Sequence, residues 1–118
     1  MRLEANNESL KELAYRYFSR KGLNVDYNVD IQKVDGKMQK LDMVVTDHSG
    51  KKGILITNWD RHIGVNVLRK LSRIVQGSGL KEGVLVGECF SEHSRKFAKD
   101  YNIQLLPKSK MLLDMDEL

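Results

Sequence analysis

The sequence predicts an α/β domain: a mixed sheet flanked by helices on both faces, in the order α-β-β-β-α-β-α-β. Three observations predict it. The stretch 40–60, KLDMVVTDHSGKKGILITNWD, reads as two strands joined by a short polar turn. A looser alternation of apolar residues precedes it, so the first half becomes one helix and a three-stranded meander. The second half alternates amphipathic helical stretches with short apolar strands, the pattern of crossovers between parallel strands.

Taken in order, Asn6 or Asn7 caps a first helix running to about Lys21, with Gly22 as its stop. Leu10, Leu13, Ala14, Tyr17 and Phe18 fall on one face of it. The stretch 23–34 alternates through Val25, Tyr27, Val29 and Ile31 and ends at Asp35-Gly36, a two-residue hairpin turn. In the next strand, 37–46, Leu41, Met43 and Val45 alternate with Asp42, Val44 and Thr46. The turn 47–53 breaks that pattern, and Ile54, Leu55 and Ile56 resume it in a strand over 51–57. After a connector at 58–64, a second helix runs from Val65 to Gln76 and is ended by Gly77-Ser78-Gly79. Its apolar face is Val67, Leu68, Leu71, Ile74 and Val75; Asn66, Arg69, Arg73 and Gln76 project oppositely, with Lys70 on the flank. GVLVG over 83–87 is a strand buried on both faces. Ser91 caps a third helix, with Phe97 and Ala98 inward, that ends near Asn102. Ile103–Leu106 is the last strand, closed by Pro107, and the tail 108–118 forms a short helix or frays.

The chain has 118 residues, enough for one domain with a single core spanning 1–118. With 31% charged residues, a mean hydropathy of −0.45 and no apolar run near the roughly 20 residues that span a bilayer, a soluble protein with no membrane partner is expected. Arg2, Glu4, Asn6, Asn7 and Glu8 interrupt any signal-peptide core, so a cytoplasmic location is expected. Cys89 is the single cysteine, which excludes an internal disulfide and a cysteine zinc cluster. His48, His62 and His93 stand at no metal-ligand spacing. The net charge of +4 and pI near 9.2 lean towards polyanionic partners.

A carboxylate within an apolar strand is costly, so Asp42 needs a reason to be there. Three stretches supply a context. KLDMVV over 40–45 resembles the strand carrying the first metal-binding aspartate of the PD-(D/E)xK nucleases. NWDRHIGV over 58–65 resembles the segment after their catalytic lysine. GVLVGECFSE over 83–92, continuing through KFAKDYNIQLL over 96–106, resembles the closing strand-helix-strand of the Mrr-like branch. The resemblance covers roughly residues 8 to 113. It implies a restriction-endonuclease-like fold, DNA as partner, and a homodimer or a place in a larger DNA-processing assembly.

Carried over by position, Asp42 matches the aspartate, but Leu55 stands where a Glu or Gln is expected and Thr57 where the lysine is expected. Leucine has no lone pair for a metal, and threonine brings no cation to the attacked phosphate. Mg²⁺ wants several oxygen ligands in near-octahedral geometry, and one aspartate supplies little of that. The implied protein is a DNA-binding nuclease fold that has lost its chemistry, with Asp42 vestigial and no cofactor. One alternative is an active Mg²⁺-dependent endonuclease with ligands moved to Glu8, Glu12 or Asp60 and a lysine at Lys40. Another is a protein–protein adaptor that keeps the fold as a scaffold.

Without its partners, Asp42 reads as a carboxylate bonded to a neighbouring backbone or paired with Lys40 or Lys52. Cys89 reads as a small buried hydrophobe. Trp59 either closes the core beneath its loop or stacks on a base. Between Lys51 and Lys81 the chain carries Lys51, Lys52, Arg61, Arg69, Lys70, Arg73 and Lys81 against one acid, Asp60. Together with Lys40 and Trp59, the first six form the candidate nucleic-acid surface. The same charges also serve as an ordinary solvated helix face, and the sequence leaves both readings open.

Overall fold

In a computed structural model of the chain, which describes residues 10–21, 24–32, 35–57 and 64–116, the elements follow the expected order. They are α1 (Leu10–Arg20), β1 (Asn24–Gln32), β2 (Met38–Asp47), β3 (Gly50–Ile56), α2 (Val65–Ser78), β4 (Glu82–Gly87), α3 (Glu92–Asp100), β5 (Ile103–Pro107) and α4 (Lys108–Asp116). The tail is therefore a helix through Asp116. The caps proposed at Asn6 or Asn7 and the stop at Gly22 lie outside the described residues.

The five strands form one sheet in the order β1-β2-β3-β4-β5. Short turns make the first three antiparallel, and the α2 and α3 crossovers make β4 and β5 parallel to β3. At the first turn Gly36 takes φ +87, and the Asp35 carboxylate accepts from the Lys37 N–H at 2.9 Å. At the second, Asp47 accepts from the backbone N–H of Ser49 and Gly50 and from the Ser49 hydroxyl. Those bonds, the Ser49 hydroxyl first, hold its carboxyl below the usual carboxylate range.

Each sheet face carries its own core. Leu10, Leu13, Ala14, Tyr17 and Phe18 of α1, with Met111 of α4, cover Met43, Val45, Ile54, Val84, Val86 and Leu106. Leu68, Leu71 and Ile74 of α2, with Ala98 of α3, cover Leu41, Val44, Leu85 and Ile103. Val84, Leu85 and Val86 are thus buried on both sides, which is why β4 shows no polar alternation.

One feature departs from simple alternation. Strand alternation puts Leu41 and Met43 on a common face, yet Met43 packs in the α1 layer and Leu41 in the α2 layer. The paired strand does the same, since Val25 packs towards α1 while Val29 and Ile31 pack towards α2. The swap falls between the pairs Tyr27↔Met43 and Val29↔Leu41. There Asn28 adopts φ +52, a left-handed conformation that asparagine tolerates better than most residues. Asp42 lies at the same twist point.

Two glycines let α2 settle on the sheet. Gly53 and Gly83 are partners across β3 and β4. A Cβ at Gly53 would stand 2.8 Å from Leu80 and 2.9 Å from Leu41, and one at Gly83 would stand 2.9 Å from Leu71. Their bare backbones make a flat seat for the far end of α2. The helix itself continues past the expected stop to Ser78, and Gly79, at φ +76, ends it.

On the opposite layer, α4 is clasped to α1. The Tyr17 hydroxyl donates to Asp114 at 2.9 Å, and Lys110 lies 3.7 Å from the same carboxylate. Burial, then the bond to Asp114 and its charge, push the Tyr17 phenol up to about 12 from 10.0. The folded value is raised, so this stabilisation is fully present below pH 10 and is lost as pH climbs through about 12. Denaturant melts across that window are expected to show the decline in the wild type and a smaller one in Tyr17→Phe. Identical slopes would refute the assignment.

Candidate functional site

Pairing between β2 and β3 ends at Met43↔Ile54. Beyond it the two strands diverge, and the next β3 N–H group loses its place in the ladder. Asp42 fills that place: its Oδ2 accepts from the Ile56 N–H at 2.7 Å, so a side chain completes what a backbone carbonyl leaves undone. Its Oδ1 faces the Lys11 ammonium of α1 at 3.8 Å, with the Asp42 side chain 24% exposed. The structure therefore gives Asp42 a backbone bond and an ion pair, but with Lys11 rather than Lys40 or Lys52. Those two lysines take other partners. Lys40 lies 3.8 Å from Asp30 and Lys52 3.4 Å from Glu82.

The positions on either side of Ile56 are occupied by neutral groups. Leu55 packs in the α2–α3 layer with Leu85 and Leu105. Thr57 is 7% exposed; its hydroxyl donates to the Val86 carbonyl at 3.0 Å and its N–H donates to the same oxygen at 2.9 Å. Threonine here extends the β3–β4 ladder by one side-chain bond. Among the described residues no group of three or more His, Cys, Asp or Glu side chains is placed to hold a metal. The donor set around Asp42, one carboxylate with a backbone bond on Oδ2 and an ion pair at Oδ1, does not fit a divalent cation that needs several oxygen ligands. Of the relocated ligands considered above, Glu12 lies exposed on α1, and Glu8 and Asp60 lie outside the described residues. So do Trp59, Arg61 and His62. His48 and His93 are exposed, and Cys89 is half-buried rather than fully enclosed.

The basic residues separate into two groups. Lys51, Lys52 and Lys81 gather at the β2–β3 turn, where the Lys81 N–H donates to the Lys51 carbonyl at 2.7 Å. This is the start of β3, the far end from Thr57. The second group is α2, whose Arg69, Lys70 and Arg73 are all exposed.

Between α2 and α3 lies a cleft of about 260 Å³ lined by Arg69, Ser72, Arg73, Gln76, Phe97 and Tyr101. Phe97 of α3 and Tyr101, which caps the end of that helix, stack with centroids 4.2 Å apart and planes 15° apart. The Arg69 guanidinium stands 5.8 Å from the Phe97 centroid. Helical spacing puts Phe97 inward, and nothing in the local pattern marks Tyr101. The signal lies in a wider pattern: two aromatics at i, i+4, preceded by a helix that carries two arginines.

A structure of a protein of unknown function, AF1548, superposes with a TM-score of 0.76 at 17% identity, covering 90% of this chain and 65% of that one. A repair endonuclease from Pyrococcus abyssi superposes at 0.63 and 17% identity, covering 86% and 47%. Can2 from Sulfobacillus thermosulfidooxidans, solved with cyclic tetra-adenylate, superposes at 0.63 and 16% identity, covering 87% and 32%. This chain thus spans less than two thirds of each, and at these identities the likeness is one of fold. No curated protein matches the sequence. Among the described residues no helix is long and apolar enough to cross a membrane. The family model of the Mrr catalytic domain, described as restriction endonuclease, matches residues 3–115. With nearly its whole length matched and its element order reproduced, the chain belongs to the Mrr restriction-endonuclease family.

Proposed function

We propose that this chain binds DNA through its basic surface without cleaving it, acting in DNA processing alone, as a homodimer, or as a subunit of a larger assembly. One observation carries the loss of cleavage. The two motif positions after Asp42 hold a leucine in an apolar layer and a threonine whose buried hydroxyl serves the Val86 carbonyl. Neither can ligate a metal or stabilise charge on an attacked phosphate. DNA binding is supported by the family and by α2, where Arg69, Lys70 and Arg73 project from a helix carrying no acid. Such contacts position a duplex without reading its sequence.

Duplex binding measured by fluorescence anisotropy over a salt series tests this reading. The affinity is expected to fall steeply as salt rises, and Arg69→Ala with Arg73→Ala to reduce the log–log slope by about 1.8. An unchanged slope would remove α2 from the interface. Plasmid cleavage in Mg²⁺ or Mn²⁺ that disappears in Asp42→Ala would overturn the non-cleaving part.

A further inference from the structure

Resting on the DNA-binding reading, we infer that the α2–α3 cleft receives one unpaired nucleotide of a DNA strand. Its base stacks on Tyr101, and its phosphate lies against Arg69 and Arg73. The cleft has the three parts such a ligand needs. Tyr101 is 45% exposed and Phe97 stacks directly on it, so the outer ring is held rigidly, with one π-face backed by another. A base added to a preorganised stack orders little else. Arg69 and Arg73 are exposed guanidinium groups on the same lining, and the lining contains no carboxylate to repel a phosphate. Ser72 and Gln76 are on the same lining, where the Gln76 amide donates to the buried Ser72 hydroxyl at 3.4 Å and keeps its carbonyl oxygen for the polar edge of a base.

Size narrows the ligand. At about 260 Å³ the cleft falls below the roughly 300–1,000 Å³ that encloses a drug-sized molecule. It accommodates one nucleotide and not a dinucleotide cofactor. A paired base cannot enter, because its faces are covered by its neighbours in the duplex. The cleft therefore selects overhangs, gaps or branch points over continuous duplex, whereas the exposed Arg69, Lys70 and Arg73 meet backbone phosphates of either. Stacking tolerates any base, so no sequence preference is expected.

The experiment compares a labelled blunt duplex with the same duplex carrying a short dT overhang, at fixed salt. The wild type is expected to prefer the overhang. Tyr101→Ala weakens overhang binding about five- to a hundredfold while leaving the blunt duplex unchanged, and Tyr101→Phe restores the preference. Thermal melts of both variants confirm that the fold is intact. Equal loss on both substrates, or no loss on either, would overturn the inference while salt-dependent duplex binding keeps the broader function standing. Tighter binding of free dTMP than of the overhang would also overturn it, in favour of a soluble nucleotide. If neither DNA binds, the inference and the proposed function fail together.

Discussion

Leu55→Glu combined with Thr57→Lys is expected to lower the thermal midpoint by about 15 °C, corresponding to a loss of about 4 kcal/mol. Both positions are packed. Leu55 belongs to an apolar layer, and Thr57, 7% exposed, holds the Val86 carbonyl through its hydroxyl. A carboxylate and an ammonium placed there lose hydration before they gain partners. The same double variant tests which chain positions correspond to the nuclease motif. If Asp42, Leu55 and Thr57 are the right three, Mn²⁺ supplies the missing partner for the new acid and raises the midpoint again. Ligand bound only to the folded state stabilises by about 2.7 kcal/mol at a hundredfold excess over Kd. Differential scanning fluorimetry with and without Mn²⁺ reads this directly. The expected pattern is a metal-dependent rise in the double variant, none in the wild type, and none when Asp42→Ala is added. A double variant that melts like the wild type would show that neither position is packed as described.

Asp42→Ala is expected to cost about 2 kcal/mol, or about 8 °C in midpoint. It removes the acceptor of the Ile56 N–H at the point where β2 and β3 part, and it strands the Lys11 ammonium 3.8 Å away. The hydrogen bond dominates: Lys11 is 43% exposed, so water screens its attraction to the carboxylate. Asp42→Asn keeps an acceptor for Ile56 and is expected to lose about half as much. Hydrogen exchange at Ile56 distinguishes this from a general loss of stability, because its protection should fall more than that of Leu85 in the core. A metal-binding aspartate would show the opposite, since removing its charge from an empty acidic site relieves strain and raises the midpoint.

Much of the fold was legible from residue spacing. The three-stranded meander, the two crossovers, the helix faces led by Leu10 and Leu68, and the Ser91 cap all rest on periods and local side-chain bonds, which operate within a few residues. Local rules did not reach the twist at Asn28 and Asp42, where both strands change the layer they serve. Nor could they say that Gly53 and Gly83 stand side by side beneath Leu80 and Leu71. As isolated glycines in strands they carry only a hint of close approach.

For the site, the sequence by itself determined what is present and what is missing: an aspartate inside a strand, a leucine and a threonine in place of an acid and a lysine, and a basic α2. It also determined that these residues lie in the order of an Mrr domain. Only the tertiary structure decided what each one touches. It assigned Asp42 to the Ile56 N–H and Lys11, turned the Thr57 hydroxyl to Val86, and joined Lys81 to Lys51 at the β2–β3 turn. It also brought Phe97 and Tyr101 beside Arg69 and Arg73. The physical reason is that hydrogen bonds and ion pairs act over a few ångströms, between groups that the chain separates by tens of residues and the packed layers bring together.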